Sequence, residues 1–373
     1  MMPRYVNDMI APGPPGLPLA RPGPSFTPMT SMAQTGAAGI APAKALIDGF
    51  GRRITYLRIS VTDRCDLRCR YCMPEAMAFS PRSEILSLEE IAAIADAFVA
   101  RGVRRIRLTG GEPLVRRGVP DLARMIGRHL ATGGLDELTL TTNGTNLARN
   151  AQTLFDAGIR RVNVSLDSRD PATFRHITRR GEVEKVLDGI IAATAAGLGV
   201  KINMVALKGL NEDEIEPMLR WCAAEGHDLT LIETMPLGWI EEDRTDRYLP
   251  LTGVREAMAA RFTLTPLIDR TGGPARYYRV EELGARVGFI TPLTENFCAG
   301  CNRVRITVGG MLYLCLGQDA RVDLRGALRA GGPAALDALL DEAMTRKPEH
   351  HDFHIDRRGV APAVARHMSV TGG

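Results

Sequence analysis

Six of the seven cysteines lie in two tight groups, and these groups are where the sequence could do chemistry. The first group is Cys65, Cys69 and Cys72, spaced as C-x3-C-x-Y-C directly after a β-rich run. Three thiolates this close can bind one metal centre, but a structural zinc site and a ferredoxin cluster each take four protein ligands. Three cysteines leave one iron of a 4Fe–4S cluster open to a substrate or cofactor. The alternative is a structural zinc site that takes its fourth ligand from elsewhere in the chain.

The second group is Cys298, Cys301 and Cys315, spaced as C-x2-C-x13-C. A C-x2-C pair usually indicates zinc, and a zinc site here would need a water, a His or Asn302 as its fourth ligand. The seventh cysteine, Cys222, lies in a helical pattern and is predicted to be a buried residue of its apolar face. Clustered thiols in a long chain indicate metal binding rather than a disulfide framework.

Arginines stand close to both cysteine groups. Arg303 and Arg305 follow Cys301 at the period-two spacing that puts both side chains on one side of a strand. Two guanidinium groups placed in this way can both donate hydrogen bonds to phosphate oxygens. Further arginines on predicted strands near the first group are Arg58, Arg105 and Arg107. Together they indicate a polyphosphate substrate.

These residues need a scaffold, and the sequence predicts one from Ile54 onward, where β-rich runs alternate with amphipathic helices. The predicted strands are Ile54–Ser60, Arg105–Thr109, Leu138–Thr142, Arg161–Leu166, Val200–Leu207 and Thr230–Glu233. The predicted helices are Leu88–Ala100, Val119–Leu130, Leu147–Ala157, Val183–Ala196 and Asp213–Ala223. Such alternation predicts a parallel sheet with right-handed crossovers. Six units fall short of a closed TIM barrel, so the expected fold is α/β, a partial (β/α)6 TIM-type barrel with its site at the C-terminal strand ends.

The chain divides into three predicted segments. Residues 1–45 are crowded with proline and are predicted to be a disordered extension. Residues 46–235 form the partial barrel. The strand–helix rhythm breaks after Pro236, so residues 236–373 are predicted to be a C-terminal domain that covers the open side of the barrel.

Composition excludes several classes of protein. With 373 residues, 45% hydrophobic and 24% charged, the chain is typical of a globular protein that buries a sizeable core. No apolar run is long enough to span a bilayer, and Met1–Ile10 lacks the apolar core of an export signal, so we expect a cytoplasmic location without membrane attachment. A net charge of +4 and 5% aromatic residues are too little for a dedicated nucleic-acid binder, and the mild positive charge suits an anionic small substrate.

The first cysteine group resembles the signature of the radical S-adenosylmethionine superfamily. A second superfamily feature, Gly110-Gly111-Glu112-Pro113, follows the next predicted strand. Adjacent glycines allow close approach of the backbone to a ligand. In that superfamily the open iron binds S-adenosylmethionine, and the reduced cluster cleaves it to methionine and a 5′-deoxyadenosyl radical.

From about Phe50 to Gly373 the sequence resembles the MoaA family, the GTP 3′,8-cyclases that begin molybdenum cofactor biosynthesis. The resemblance rests on runs that include both cysteine groups and the terminal pair of glycines: Tyr56-Leu-Arg-Ile-Ser-Val-Thr-Asp-Arg-Cys65, Ile106-Arg-Leu-Thr-Gly-Gly-Glu-Pro113, Thr141-Thr-Asn-Gly144, Asn163-Val-Ser-Leu-Asp-Ser168, Phe297-Cys-Ala-Gly-Cys-Asn-Arg-Val-Arg305 and Gly372-Gly373. It implies a lyase that cyclises GTP to (8S)-3′,8-cyclo-7,8-dihydroguanosine 5′-triphosphate. The radical takes the ribose 3′ hydrogen, and C3′ attacks guanine C8.

The resemblance also implies a role for each site residue. Cys65, Cys69 and Cys72 would bind one 4Fe–4S cluster, and Cys298, Cys301 and Cys315 a second. S-adenosylmethionine would be bound by Tyr71, Gly111, Ser165 and Met235. GTP would be bound by Arg58, Arg107, Thr141, Lys201, Arg303 and Arg305. The glycine pair at the end of the chain would reach into the site.

The resemblance implies three partners. These are the enzyme MoaC, to which the product passes; a reductant such as flavodoxin or ferredoxin; and a second copy of the chain in a homodimer.

Arg105 stands where the family often has lysine, and Thr230 where some members carry arginine. Three other hypotheses remain open from the sequence: another twin-cluster radical enzyme, an iron–sulfur electron carrier or redox sensor, and a zinc-ribbon nucleic-acid binder. Iron or zinc content would separate them.

Overall fold

The computed structural model describes residues 44–268 and 273–372. The predicted disordered extension therefore lies outside the described residues, apart from its last two. Of these, Lys44 forms an ion pair with Asp341 over 2.7 Å. In the part of the chain that is described, no helix is both long and apolar enough to cross a membrane.

Strands and helices alternate through the first two thirds of the described chain. The strands are β1 (Tyr56–Ser60), β2 (Arg105–Thr109), β3 (Glu137–Thr142), β4 (Arg161–Ser165), β5 (Gly199–Val205), β6 (Asp228–Ile232), β7 (Leu264–Pro266), β8 (Arg276–Val280), β9 (Ala285–Ile290), β10 (Arg303–Ile306), β11 (Met311–Tyr313) and β12 (Arg321–Asp323). The helices are α1 (Leu88–Ala100), α2 (Val119–Ala131), α3 (Ala151–Asp156), α4 (Pro171–Thr178), α5 (Val183–Ala195), α6 (Ile215–Ala224), α7 (Arg244–Arg247), α8 (Leu251–Ala259), α9 (Leu324–Thr345) and α10 (Met368–Thr371).

All the strands belong to one sheet, in the order β12-β11-β10-β1-β2-β3-β4-β5-β6-β9-β8-β7. Strands β1 to β6 pair in parallel in chain order, which confirms the predicted α/β fold with a partial barrel of six units. The C-terminal segment adds a parallel strand at each edge, β10 beside β1 and β9 beside β6. Antiparallel pairs follow at both ends, and the two end strands do not pair with each other, so the sheet is not closed. The division of the chain into domains at residue 236 stays a prediction.

Local signals explain where the first helix begins and ends. The Ser87 side chain accepts a hydrogen bond from the Glu90 N–H, and the Glu90 carboxylate accepts one from the Ser87 N–H, so the predicted capping box is present. Gly102, just after the helix, has a φ of 89°, a conformation that glycine adopts without strain. α1 therefore has the bounds that the sequence predicts.

The apolar residues of the sheet face outward, toward the helices, and its polar residues face the interior of the barrel. Alternate residues of β1 and β2 (Leu57, Ile59, Ile106 and Leu108) are fully buried in the apolar core that the helices share. The residues between them, such as Arg58, point to the other face. Polar side chains that line the barrel can bind a charged ligand in its interior. The candidate site is therefore expected there.

Candidate active site between two cysteine triplets

One cavity opens at the C-terminal edge of the parallel strands. The last residues of six strands line it: Thr109, Thr142, Ser165, Val205, Ile232 and Ile290. Its empty volume is about 1650 Å³, part of which is open to solvent. Its wall contains every residue that the resemblance assigns to a cluster, to S-adenosylmethionine or to GTP, except Lys201.

The first cysteine triplet lies in the loop after β1. Asn143 Nδ2 lies 3.8 Å from the sulfur of Cys65, and the Leu67 N–H donates to the same sulfur over 3.4 Å. Burial raises the pKa of Cys72 to about 12 and that of Cys69 well above its usual range. Buried thiols of this kind lose their protons when a metal centre binds them, because its positive charge stabilises the thiolate.

The glycine pair after β2 packs directly on that cysteine loop. A Cβ atom on Gly110 would lie 2.2 Å from the carbonyl oxygen of Thr62, and one on Gly111 would lie 2.3 Å from that of Arg64. The Gly111 N–H donates to the Thr62 carbonyl over 2.7 Å. Any side chain at either position would push the two loops apart, so the glycines fix the distance between the triplet and the barrel wall.

Glu112, the next residue, organises this corner of the cavity. Its carboxylate accepts hydrogen bonds from the Asn143 N–H at 2.6 Å, the Thr142 hydroxyl at 2.8 Å and the Leu114 N–H at 2.9 Å. Burial raises the pKa of Glu112 to about 7 in spite of these bonds. Sequence analysis named Glu112 only as part of a motif, and the structure shows that it joins the ends of β2 and β3.

Tyr71 connects the first triplet to the far side of the barrel. Its hydroxyl donates to the Asp167 carboxylate over 2.8 Å, and the same carboxylate accepts the Val205 N–H over 2.8 Å. Burial raises the pKa of Asp167 to about 6. Ser165 and Met235 lie in the same wall, so the four residues predicted to bind S-adenosylmethionine line one cavity with the first triplet.

The second cysteine triplet lies around β10 and β11, in the wall of the same cavity. Lys347 is buried, and its Nζ lies 3.7 Å from the sulfur of Cys301 and donates to the carbonyl of Leu314 over 2.6 Å. Burial alone would raise the pKa of Cys301, but the charges of Arg303 and Lys347 outweigh it and lower that pKa to about 7. The ammonium group thus favours the thiolate form at one predicted cluster ligand.

Neither triplet forms a disulfide, since all seven cysteines are free. Within residues 44–268 and 273–372, no group of three or more His, Cys, Asp or Glu side chains is placed to hold a metal ion. The cysteines of a cluster each bind a different iron, so they stand apart at its corners. The six thiols line one cavity in two sets of three.

Three arginines lie side by side on the inner face of the sheet. Arg58 pairs in register with Arg305 on β10 and with Arg107 on β2. Burial lowers the pKa of Arg58 well below its usual value, and the neighbouring charges of Arg305 and Arg107 lower it further. Burial, followed by the charge of Arg303, lowers the pKa of Arg305 to about 9. The cluster therefore holds several buried cations that repel one another.

In the described part of the chain, no carboxylate forms an ion pair with these cations. Among the described residues, Arg58, Arg107, Arg303 and Arg305 form no ion pair, and the Nε atom of Arg58 is buried without a hydrogen-bond partner. Thr141 also carries a buried hydroxyl oxygen without a partner in the same cavity. An uncompensated buried charge costs several kcal/mol, so the arrangement favours an anionic ligand. Arg105, which sequence analysis grouped with these arginines, is not part of the cavity wall.

Lys201 differs from the other predicted GTP contacts. It is buried on β5, but its Nζ donates to the hydroxyl of Tyr277 and lies 4.5 Å from the centre of that ring. Burial lowers the pKa of Lys201 well below its usual value, and the charges of Arg161 and Arg107 lower it further. The structure therefore places Lys201 behind the cavity wall, in contact with an aromatic side chain.

The C-terminal segment reaches the cavity. Met368 and Ser369 on α10 line it, and the carbonyl of Gly372 accepts a hydrogen bond from Arg305. The first glycine of the terminal pair thus contacts Arg305, while Gly373 lies outside the described residues. Cys222, the cysteine outside both groups, is fully buried in the apolar core, as predicted.

Sequence analysis missed several residues in the wall. Asn203 lies at the end of β5 with a buried side-chain oxygen that has no partner. His351, Phe353 and Phe297 form an aromatic stretch beside the second triplet. Side chains alternate along a strand, so Asn203 could have been predicted to share a face of β5 with Lys201. The histidine-rich segment His350-His351-Asp-Phe-His354 was a sequence signal for the aromatic stretch.

Two family models match the chain. The radical SAM superfamily model covers residues 59–222, and the model for the Molybdenum Cofactor Synthesis C family covers residues 227–353. The boundary between the two matches falls between β5 and β6, so each covers one of the cysteine triplets.

Curated relatives match nearly the full chain. A GTP 3′,8-cyclase of Erythrobacter litoralis (strain HTCC2594) is 62% identical over 332 residues, which are 89% of this chain and 99% of the relative. A GTP 3′,8-cyclase of Agrobacterium fabrum (strain C58 / ATCC 33970) is 56% identical over 350 residues, 94% of this chain and 99% of the relative.

Solved structures agree on the fold. Streptococcus suis SuiB bound to S-adenosylmethionine superposes with a TM-score of 0.54 at 15% identity, covering 77% of this chain and 68% of SuiB. SuiB bound to the precursor peptide SuiA gives a TM-score of 0.55 at 14% identity, covering 80% of this chain and 72% of SuiB. At this identity the likeness establishes the fold alone, whereas the curated relatives establish the family. The chain belongs to the GTP 3′,8-cyclase family, within the radical SAM superfamily.

Proposed function

We propose that this chain cyclises GTP in the cavity between the two cysteine triplets, as the first step of molybdenum cofactor biosynthesis. In this assignment S-adenosylmethionine lies at the first triplet and GTP lies between the arginines and the second triplet. The product is (8S)-3′,8-cyclo-7,8-dihydroguanosine 5′-triphosphate, and the enzyme is a lyase that forms a carbon–carbon bond.

The observation that carries the GTP assignment is a row of three guanidinium groups, of which those of Arg58 and Arg305 belong to buried residues. Arg305, Arg58 and Arg107 lie in register on three adjacent parallel strands and have no carboxylate partner among the described residues. A triphosphate supplies up to four negative charges and many acceptor oxygens, and arginine binds phosphate oxygens in a bidentate way. A substrate without phosphate groups would leave these cations unpaired.

The residues present fit two 4Fe–4S clusters and S-adenosylmethionine. Cys65, Cys69 and Cys72 would hold the first cluster, and Cys298, Cys301 and Cys315 the second. When bound, the first cluster and S-adenosylmethionine supply a 5′-deoxyadenosyl radical, which takes the ribose 3′ hydrogen of GTP before C3′ attacks guanine C8. Three thiols in each set leave one position open for a ligand that is not a cysteine.

The remaining residues bind and orient the two reactants. Gly111 offers its backbone beside the first triplet, at a position where a side chain would collide with the cysteine loop. Tyr71, Ser165 and Met235 complete the S-adenosylmethionine side of the wall in this proposal. Thr141 faces the GTP side with a hydroxyl that lacks a partner among the described residues. The barrel and the C-terminal segment both border the cavity, and in this proposal they limit the access of water to a radical.

Lys201 remains a proposed GTP contact, and it would have to leave Tyr277 to reach a phosphate.

Residues 46–235 and 236–373 are proposed as the two functional parts, with the first binding S-adenosylmethionine and the second contributing the other cluster. The proposed partners are MoaC for the product, flavodoxin or ferredoxin as reductant, and a second copy of the chain. We propose a cytoplasmic location, where such reductants are found.

The test is anaerobic. Clusters are reconstituted, then dithionite, S-adenosylmethionine and GTP are added, and 5′-deoxyadenosine is measured with GTP and without it. We expect about eight iron atoms per chain and GTP-dependent 5′-deoxyadenosine, together with a GTP-derived product that MoaC converts to a pterin. Cleavage that does not depend on GTP would contradict the substrate assignment. No cleavage by protein with both clusters intact would contradict the enzyme itself.

A further inference from the structure

His351 is a cavity residue beside the second triplet, and the proposed function gives it no role. Its ring lies in the wall that also contains Cys298, Cys301 and Cys315. The Nε2 atom is buried and has no hydrogen-bond partner among the described residues. A buried polar atom without a partner costs about 1–3 kcal/mol, so a ligand is expected to satisfy it.

The ring is held in one orientation. It stacks on Phe353 with the ring centres 4.4 Å apart and an angle of 30° between the planes. Its edge faces Phe297, with ring centres 6.5 Å apart. These two contacts leave the imidazole little freedom to turn away from the cavity.

The protonation of the ring follows from one hydrogen bond. The Phe353 N–H donates to Nδ1 of His351 over 3.3 Å, so Nδ1 carries a lone pair. Burial lowers the pKa of His351, and the ring is therefore neutral at pH 7. A neutral imidazole with a lone pair on Nδ1 has its proton on Nε2. The unpartnered Nε2 atom is thus an N–H donor.

The position of the ring identifies the acceptor. Phe297 directly precedes Cys298. A Cβ atom on Gly317, two residues after Cys315, would lie 2.8 Å from the Cβ of His351. His351 therefore packs against the loops that carry two of the three cysteines, Cys298 and Cys315, and a cluster sulfur is the acceptor that we expect for its donor.

We propose that the Nε2–H of His351 donates a hydrogen bond to a sulfur atom of the second cluster and so raises its reduction potential. The reduced cluster carries one more negative charge, and a donor at sulfur stabilises that charge. The inference rests on the proposed cluster at Cys298, Cys301 and Cys315. It makes His351 a residue that sets how readily this cluster takes up an electron.

The first test is a redox titration of the full chain with both clusters, followed by electron paramagnetic resonance. His351→Phe keeps an aromatic ring on Phe353 but removes the donor. His351→Gln keeps an N–H near the position of Nε2. The control is His350→Phe, the same substitution at the neighbouring histidine, whose side chain is 62% exposed. We expect a more negative potential of the second cluster in His351→Phe, and potentials near the wild-type value in the other two variants.

The second test uses the wild-type protein, so it does not depend on how a variant folds. With 15N-labelled histidine, pulsed resonance spectra of the reduced second cluster should show coupling to a histidine nitrogen and to a proton that exchanges in D2O. Absence of both couplings, or an unchanged potential in His351→Phe that retains about eight iron atoms, would overturn the proposal. Weaker GTP binding at an unchanged potential would also overturn it, and would assign the donor to the substrate. A wild-type protein with about four iron atoms would instead contradict the second cluster.

Discussion

Arg305 donates a hydrogen bond from Nη1 to the carbonyl oxygen of Gly372, over 2.7 Å. The bond joins one end of the arginine row to the end of the described chain. Gly372 has a φ of 75°, and a Cβ atom on it would lie 2.1 Å from Cγ2 of Thr109, a cavity residue at the end of β2. The contact therefore requires glycine for two reasons, backbone conformation and space.

Gly372→Ala should displace the C-terminal segment and with it the guanidinium of Arg305. A misplacement of about 1 Å in an active site can cost about 100-fold in rate, and we expect a loss of that order in GTP-dependent 5′-deoxyadenosine formation. Gly359→Ala is the matched control, since Gly359 also has a positive φ of 72° but has open space at its Cβ position. If both variants lost the same activity, backbone strain rather than the contact with Thr109 would be the cause.

Arg58→Met should change stability and GTP binding in opposite directions. In the GTP-free protein it removes one of several buried cations that repel one another, so the unfolding temperature should rise. GTP binding should weaken by at least ~30-fold, or about 2 kcal/mol, because a buried charge pair is lost. Thermal unfolding and calorimetric titration measure the two effects. Arg82→Met, at an exposed arginine, should change neither. A fall in stability without an effect on GTP would show that Arg58 is a structural residue.

The sequence predicted the barrel well because its signals are local. The bounds of β2 and α1 agree with the prediction at both ends, since period-two alternation and a capping box depend only on neighbouring residues. The strands β9 and β10 were not assigned to the barrel edges. Their partners lie far away in the chain, and glycine and proline interrupt the pattern between them.

The site was predictable to a similar extent and for a similar reason. Cysteines and glycines at fixed spacing identify a metal loop and a close backbone contact from the sequence alone. The partner of a single polar residue is not local, so the contact of Lys201 with Tyr277 and the unpartnered Nε2 of His351 became visible only in the fold. Arg105 and Arg107 are two residues apart on one strand, yet only Arg107 reaches the cavity, because Arg105 lies at the opposite end of β2.

Glu112 gives a prediction about pH. Burial raises its pKa from 4.5 to about 7, so the folded protein binds its proton more tightly than the unfolded chain. The stability that this group contributes is therefore fully present below pH 4.5 and is lost as the pH rises towards 7. The free energy of unfolding should fall over that range, with a slope from this group of at most ~1.4 kcal/mol per pH unit.

The measurement compares unfolding of the wild-type chain and Glu112→Gln between pH 5 and pH 8. The variant cannot titrate at this position, so its stability relative to the wild type should increase as the pH rises. Glu84→Gln, at an exposed carboxylate, serves as the control and should follow the wild-type curve. Parallel curves for Glu112→Gln and the wild type would show that Glu112 keeps an ordinary pKa in the folded protein.

Gly288 determines whether Tyr277 can reach Lys201. The two residues Tyr277 and Gly288 pair in register on β8 and β9, and a Cβ atom on Gly288 would lie 2.7 Å from Cε1 of the tyrosine ring. The ring therefore lies over a position that must be glycine, and its hydroxyl accepts a hydrogen bond from Lys201 on β5. This contact competes with the proposed contact between Lys201 and a phosphate of GTP.

Tyr277→Phe should accordingly make GTP binding tighter while it destabilises the GTP-free protein. Loss of the hydroxyl leaves a buried ammonium without this acceptor, at a cost of about 1–3 kcal/mol in the free energy of unfolding. GTP no longer has to break that bond, so its dissociation constant should decrease, whereas Lys201→Met should increase it. Tyr248→Phe, at a half-buried tyrosine elsewhere, is the control. The dissociation constant is measured by calorimetric titration with GTP. Tyr277→Phe and Lys201→Met could both lower stability and leave the dissociation constant unchanged. That result would assign Lys201 to the scaffold of the barrel and not to the substrate site.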